Sequence, residues 1–368
     1  MKRTIFFCVL ITFFACALSG TNRSHAEQPT KSKLPIVGAI RWDAWCGGSV
    51  TNQVEATLGP KKFRDRLPWF AEVTDEETVR IRGGKQEIMN EEIRFASEAS
   101  LDYWAFLIYP NGNEMSRALE LYLADPSRDK INFCMILHNN LGVPEKDWPR
   151  ERDRVIQLLK EPGYQTVLEE RPLVYLFSAN AQRFQELRQA IAEEGINPYY
   201  VFMGWNPAGD YVAEKCNGFD AVSAYANGCR VETFAELVRD VEQNYWKNAA
   251  DAKIEYVPFV TTGWDKQPRK EHPVLWELND AYHHQEGFPS QATPQEIADH
   301  LEHAICFTQE HQDLCPANAI IIYAWNEHDE GGWLVPVWLP DKKSNNSRLK
   351  AIGSVLTKDV AIGPLPEK

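Results

Sequence analysis

Eight short apolar runs recur along the chain between turn residues, and most of them are continuously apolar rather than alternating. This pattern is typical of strands that are buried on both faces of a parallel sheet. The predicted strands are Ile36–Arg41, Tyr103–Tyr109, Ile131–Leu137, Leu173–Phe177, Tyr199–Met203, Phe219–Tyr225, Tyr256–Val260 and Ala319–Tyr323.

Segments with apolar residues at helical spacing separate many of these strands. They are Glu87–Ala99, Glu114–Ala124, Ala181–Glu194, Val231–Ala249 and Pro294–Gln312, with Ser347–Thr357 as a closing helix. The helix at Pro294 has a clear start signal, because Thr293 is a preferred N-cap residue and Glu296 follows it at the capping-box spacing.

The repeated strand–helix order predicts a parallel α/β fold, and eight strands favour a single (β/α)8 TIM barrel. The weakest unit lies between strands five and six, where only Asn206–Gly218 forms the connection. A doubly wound open sheet is therefore the alternative. Two connections are long, Trp42–Gln86 after the first strand and Thr261–Ala292 after the seventh. Both follow carboxyl ends of strands, where barrel enzymes carry their active sites, so we interpret them as cleft walls or lids.

The first 26 residues have the order of a secretory signal peptide. Two basic residues precede the apolar run Ile5–Leu18, and a small-residue cleavage site ends at Ala26. This predicts a mature domain over 27–368 that is exported to the periplasm or the exterior. Cys16 lies in a poor lipobox, so lipoprotein anchoring is the less favoured alternative. No later stretch reaches 18 uninterrupted apolar residues, which predicts no integral membrane segment in the mature chain.

The chain has 368 residues and a net charge of −13, from 39 basic and 52 acidic residues. An acidic balance of this kind disfavours nucleic-acid binding. Of the six cysteines after residue 26, Cys306 and Cys315 are close enough in sequence to pair. An extended strand of about 3.3 Å per residue separates Cys216 from Cys229 and keeps them beyond disulfide reach. The sequence carries no signal for an oligomeric state.

Aromatic rings and polar side chains collect just past the predicted strand ends. At least five of the eight ends carry Trp or Tyr, which is more than completion of a core requires. Flat rings cover the apolar faces of sugars while amides and carboxylates bond their hydroxyls, so this mouth suits a carbohydrate substrate. The candidate binding residues are Trp42, Asp43, Trp45, Tyr109, His138, Trp205, Asn206, Tyr225, Trp264, Asp265, Arg269, Trp325, Asn326 and His328.

The last predicted strand runs directly into two glutamates, Glu327 and Glu330. Glutamate is costly to bury unpaired, so an acidic pair at the end of an apolar strand favours a cleft over a core. Gly331 and Gly332 let the backbone turn sharply and bring both carboxylates toward one pocket. Glycoside cleavage uses such a pair, with one group protonated and the other ionised. We predict that Glu330 is the protonated group, its pKa raised by burial or by repulsion from Glu327.

The same stretch argues against metal and cofactor chemistry. Three adjacent ligand-type residues, His328, Asp329 and Glu330, rarely converge on one ion without partners elsewhere. No Gly-rich phosphate or dinucleotide loop follows the first strand. The sequence therefore predicts no metal and no cofactor.

At these residues the chain resembles glycoside hydrolase family 99 and its relatives, including the family called WbsX-like. The segment 325–331, Trp-Asn-Glu-His-Asp-Glu-Gly, resembles the W/F-N-E-W-H-E-G signature of the eighth strand. Leu101–Phe106 and Phe133–Met135 resemble the second and third strands. Gly263-Trp264-Asp265, with Pro268-Arg269 after it, resembles the G-W-D-N-T-P-R stretch that follows the seventh.

The resemblance implies a retaining, often endo-acting hydrolase that needs no cofactor. By position, Glu327 takes the role of a base on the substrate's 2-hydroxyl, and Glu330 that of general acid and then general base. His328 and Asp329 replace the Trp and His of the signature, so specificity for α-mannosides does not carry over. Asp43 and Asp265 are further acids at the mouth that compete for a catalytic role.

Two other functions remain open from the sequence. The WbsX-like label suggests a glycosyltransferase of surface polysaccharide, but export and the missing pyrophosphate loop argue against it. A non-catalytic glycan-binding barrel is the other alternative.

Overall fold

The computed structural model describes residues 34–177, 180–214, 217–340 and 344–357. The predicted signal peptide, Cys16 and Cys216 lie outside these ranges. Eight parallel strands form one sheet. They are β1 (Ile36–Arg41), β2 (Tyr103–Leu107), β3 (Asn132–Leu137), β4 (Arg171–Phe177), β5 (Tyr199–Met203), β6 (Ala221–Ser223), β7 (Phe259–Thr261) and β8 (Ala319–Tyr323). Each overlaps one of the predicted runs.

The strands are ordered β7-β8-β1-β2-β3-β4-β5-β6, so the first and last strands of this order, β7 and β6, follow one another in the sequence. The remaining gap is bridged just before β7, where Val222 pairs in parallel with Tyr256. Val257 N donates to Val222 O at 2.9 Å, and Ser223 Oγ donates to Val257 O at 2.8 Å. The sheet thus returns on itself as a (β/α)8 barrel, and the alternative of an open doubly wound sheet is wrong.

Eleven α-helices lie within the described residues. They are α1 (Gly48–Leu58), α2 (Gln86–Glu98), α3 (Arg117–Ala124), α4 (Trp148–Leu159), α5 (Ala181–Glu193), α6 (Pro207–Glu214), α7 (Phe234–Val241), α8 (Asn248–Ala252), α9 (Gln267–Glu271), α10 (Pro294–Glu310) and α11 (Ser347–Leu356). The pattern does not predict α4, because residues 150–154 are all charged and hide its apolar face. The predicted capping box at Thr293 is present, as is a second one at Thr233.

The inside of the barrel is filled by side chains of unequal size. A Cβ at Gly38 would lie 2.3 Å from the ring of Tyr103, so only glycine leaves room for that ring. The Tyr103 hydroxyl lies 3.0 Å from that of Tyr175 and donates to Ile320 O at 3.0 Å. The interior is therefore a packed core and not a pore.

A buried ion network joins the end of β1 to the segment after β8. Arg41 Nη2 donates to Asp43 Oδ1 at 2.7 Å and to Glu92 Oε2 at 2.8 Å. Asn326 Nδ2 donates to the same Asp43 oxygen at 3.0 Å, and Asn326 Oδ1 accepts from Trp42 N at 2.9 Å. The network fixes the backbone that carries Trp42 and Glu327.

Cys306 and Cys315 are free thiols, so the pairing considered for them is wrong. Within the described ranges, no helix has the length and apolarity needed to cross a bilayer.

Replacing Arg41 tests the ion network. In Arg41→Leu two buried carboxylates lose their cation, and we expect the free energy of unfolding to fall by about 3–5 kcal/mol. Urea denaturation at pH 7 measures this. The control Arg94→Leu removes exposed ion pairs to Glu91 and Glu98 and should cost less than about 1 kcal/mol. Equal losses in the two variants would contradict the assignment.

Candidate active site

A cavity of about 710 Å³ opens where the barrel strands end at their carboxyl sides. Nine of the predicted residues line it. They are Trp42, Tyr109, His138, Trp205, Tyr225, Trp264, Arg269, Glu327 and Glu330. They follow different strands, so the barrel is what brings them together.

Both glutamates reach the cavity because the chain folds back tightly after β8. Asn326–Glu327 pairs antiparallel with Gly332–Trp333, and His328–Glu330 forms a single 3-10 turn between them. Gly331 has a φ of 87°, and a Cβ there would lie 2.3 Å from Asp265 N. Asp265 N also donates to Glu330 O at 2.7 Å. Only glycine allows this approach of the loops after β7 and β8.

Glu330 is surrounded by groups that stabilise its anion. Arg269 Nη1 donates to Glu330 Oε1 at 2.5 Å, Lys266 Nζ lies 3.2 Å from Oε2, and Tyr323 OH donates to Oε2 at 3.1 Å. Burial opposes ionisation, but the two cations and these hydrogen bonds outweigh it and lower the pKa of Glu330 to about 2. Glu330 is therefore ionised at neutral pH.

Glu327 has the opposite environment. It is 1% exposed, and its Oε1 accepts one hydrogen bond, from Tyr225 OH at 2.5 Å. Its Oε2 has no partner among the described groups. Burial, and next the negative charge of Glu330, raise the pKa of Glu327 well above its ordinary value. Our sequence prediction placed the raised pKa on Glu330, and the structure places it on Glu327.

Aromatic rings form the walls of the cavity. Tyr225 stacks on Phe177 with centroids 4.7 Å apart, and Trp264 lies 5.6 Å from the ring of Tyr323. Trp205 is 54% exposed and Trp276 is 39% exposed. Exposed indole rings at a cavity offer flat apolar surfaces to a ligand.

Seven predicted binding residues do not line this cavity. They are Asp43, Trp45, Asn206, Asp265, Trp325, Asn326 and His328. Asp43 and Asn326 belong to the Arg41 network, and Asp265 forms an ion pair with Arg66, so both competing acids already have partners. Position after a strand end does not distinguish a side chain that points into the cavity from one that supports it.

The other four pack or cap instead of facing the ligand. His328 lies between Trp45, at 4.6 Å, and Trp333, at 5.4 Å. Trp325 is fully buried, 5.0 Å from Trp104. Asn206 precedes α6, and its Oδ1 accepts from Gly209 N at 3.4 Å.

Sequence reasoning missed a group of cavity residues in the loop after β7. They are Lys266, Trp276, Glu277, Asp280, Tyr282 and Gln285. The length of the loop marked it as a cleft wall, but only the folded loop shows which of its side chains turn inward. The signal that was available is an apolar group of four residues in a polar loop, Val274, Leu275, Trp276 and Leu278.

Among the described side chains, no group of three or more His, Cys, Asp or Glu is placed to hold a metal ion. Glu330 and Asp329 are bound to Arg269, and Glu330 also to Lys266.

The raised pKa of Glu327 predicts that the difference in stability between the parent and a variant without this carboxyl group depends on pH. The unfolded chain releases this proton near pH 4.3 while the folded chain keeps it, so the group destabilises the fold as pH rises. Glu327→Gln stays neutral at every pH. We expect the free energy of unfolding of this variant, minus that of the parent, to increase from pH 4 to pH 8 by at most about 1.4 kcal/mol per pH unit. The difference in Tm between the two proteins, measured across this range, should increase in the same direction. The exposed Glu286→Gln serves as control, and a difference that is constant with pH would contradict the assignment.

Comparisons with known proteins support the barrel at the level of fold. No family model and no curated protein matches the sequence. Two solved structures of the endo-α-mannosidase of glycoside hydrolase family 99 from Bacteroides thetaiotaomicron do match. The complex with bis-tris propane is 12% identical, with a TM-score of 0.57 over 87% of this chain and 94% of that chain. The second is 11% identical, with a TM-score of 0.57 over 87% of this chain and 96% of that chain. The chain thus has a barrel fold like that of glycoside hydrolase family 99.

Proposed function

We propose that this protein is a glycoside hydrolase that cleaves a polysaccharide or other glycan with Glu327 and Glu330. One observation carries the proposal: two buried carboxyl groups with opposite proton affinities share one aromatic-walled cavity. Acetal hydrolysis needs a proton donor and an anion at one site, and their pKa values must be driven apart for both to exist at neutral pH.

In the proposed reaction, Glu327 gives its proton to the glycosidic oxygen as the bond from that oxygen to the anomeric carbon breaks. Glu330 remains anionic and either stabilises the positive charge at the anomeric carbon or forms a bond to it; water then attacks that carbon, returns a proton to Glu327 and releases the sugar, with Glu330 again free. This is the reverse of the roles implied by the resemblance to family 99, and the bonds of Glu330 to Arg269 and Lys266 support the reversal. A retaining outcome stays part of the proposal and rests on the resemblance of residues 325–331.

The substrate is held by rings and by a few polar groups. We assign Trp42, Trp205, Trp264 and Trp276 to the apolar faces of sugar rings. Arg269 Nη2 is buried without a partner among the described groups, which suits a substrate hydroxyl. Export of the chain, with removal of the signal peptide near Ala26, remains part of this proposal. It would place the enzyme among extracellular or periplasmic glycans.

The decisive experiment is a screen of the purified mature protein against α-mannans and plant, algal and microbial polysaccharides, with analysis of the products. We expect one class to be cleaved. Glu327→Gln and Glu330→Gln should each lower kcat by about 10²–10⁴-fold, because each removes one half of the acid and anion pair. Glu286→Gln, on the same side of the barrel but exposed, is the control.

Two results of this screen would defeat the proposal. Turnover that survives in both glutamine variants would exclude the pair as the catalytic groups. Glycan binding by a parent protein that cleaves none of the panel would instead identify a non-catalytic binding barrel.

The pH profile distinguishes the two assignments of roles. If Glu327 donates the proton, kcat/KM falls as pH rises through its raised pKa, and the acidic limb due to Glu330 lies near pH 2. If Glu327 acts as the base, kcat/KM rises through the same pH range. Initial rates between pH 4 and pH 10, with NMR of the anomer first released, measure both the roles and the stereochemical outcome.

A further inference from the structure

We propose that Glu277 is a positioning residue: it competes with Glu330 for Lys266 and Arg269 and so limits how tightly these cations bind that anion, and through the same bonds it sets Trp276 in the cavity wall. This inference rests on the proposed function for its catalytic part. Its structural part stands on the contacts alone.

Glu277 shares both cations of Glu330. Glu277 Oε1 accepts from Lys266 Nζ at 2.8 Å and from Arg269 Nη1 at 3.0 Å. The same Lys266 Nζ and Arg269 Nη1 contact the two oxygens of Glu330. Two carboxylates thus compete for one pair of buried cations, and the strength with which Glu277 binds them limits how tightly they hold Glu330.

The same residue anchors the loop that follows α9. Glu277 Oε2 accepts from Tyr282 OH at 3.0 Å, and the backbone oxygen of Glu277 lies 2.8 Å from His283 Nε2. Its neighbours Leu275 and Leu278 are 72% and 54% exposed, so they add little packing to hold this part of the loop. The segment 275–278 is therefore held by the bonds of Glu277, together with the buried Val274 before it and the bond that Leu275 N donates to Gln53 Oε1 at 2.7 Å.

Trp276 and Glu277 are the residues of this segment that line the cavity, and Trp276 supplies its aromatic ring. Its ring lies 5.7 Å from the ring of Trp42, and the Arg269 guanidinium carbon is 5.0 Å from Trp42 and 5.5 Å from Trp276. The guanidinium that binds Glu330 thus also packs against both indoles. Any shift of Glu277 moves the wall and the anion together.

A double-mutant cycle separates the two effects. Trp276→Ala removes the ring from the wall, leaves the ionic bonds of Glu277 to Lys266 and Arg269 in place, and should raise KM. Glu277→Gln keeps the shape of the side chain but loses its charge, so Lys266 and Arg269 bind Glu330 more tightly and the anion becomes less reactive. We expect Glu277→Gln to raise KM and also to lower kcat by about tenfold or more. Glu277→Asp, which keeps the charge, should lie closer to the parent in kcat, and Glu286→Gln is the control on the same loop.

The combined variant decides whether Glu277 acts on Glu330. If it does, Glu277→Gln should lower kcat in the Trp276→Ala background by the same factor as in the parent. If kcat of the combined variant equals that of Trp276→Ala, Glu277 acts only through the wall and the catalytic part of the inference is overturned.

A second measurement needs no substrate. The contribution of Trp276 to the fluorescence is obtained by subtracting the spectrum of a protein with Trp276→Phe from that of the same protein without this change. The quenching of this contribution by acrylamide reports the exposure of the Trp276 ring. Quenching should increase in Glu277→Gln and stay unchanged in Glu286→Gln. Unchanged quenching in Glu277→Gln would overturn the anchoring role. A parent protein without hydrolase activity would defeat the proposed function, while this result on the anchor would still stand.

Discussion

The fully buried guanidinium of Arg269 is the constraint on which the rest of the site depends. It donates to Asp329 at 2.7 Å, to Glu330 at 2.5 Å and to Glu277 at 3.0 Å. A buried cation of this kind is stable only with such partners, and each acid in turn is tolerated only beside the cation. Arg269 therefore determines which acid of the barrel mouth is an anion. Glu327, which lies outside this set of partners, is left as the acid that keeps its proton.

This division of charge follows from distances rather than from residue types. Glu327 and Glu330 are the same amino acid, three positions apart and both buried. Glu330 gains two cations and a tyrosine hydroxyl, whereas Glu327 gains one tyrosine hydroxyl and the repulsion of its neighbour. The tight turn at Gly331 places them in these different surroundings, since it presses Glu330 onto the loop after β7 that supplies Lys266 and Arg269.

Support for the site comes from two further layers that the ligand does not reach. The Arg41 network fixes the backbone on either side of the β1–β8 junction. His328, Trp45 and Trp333 pack as a block behind the turn that carries the glutamates. A catalytic group needs such support, because its neighbours must hold its position to within a fraction of an ångström. The residues after Glu327 thus serve the shape of the site even where they do not contact a substrate.

The sequence by itself determined the barrel and the location of the acidic pair. Continuous apolar runs such as Ala319–Tyr323 read directly as buried parallel strands, since burial on both faces leaves no room for polar residues. Glu327 and Glu330 stood out because such a strand cannot otherwise end in acids. Only the tertiary structure decided which side chains face the cavity and which glutamate is charged. Asp43 and Trp45 lie within three positions of Trp42 in sequence yet do not line the cavity, and Lys266 and Arg269 reach Glu330 from a loop more than fifty residues earlier. Side-chain direction and long-range ion pairing depend on how loops pack against one another, and no local pattern of residues encodes that.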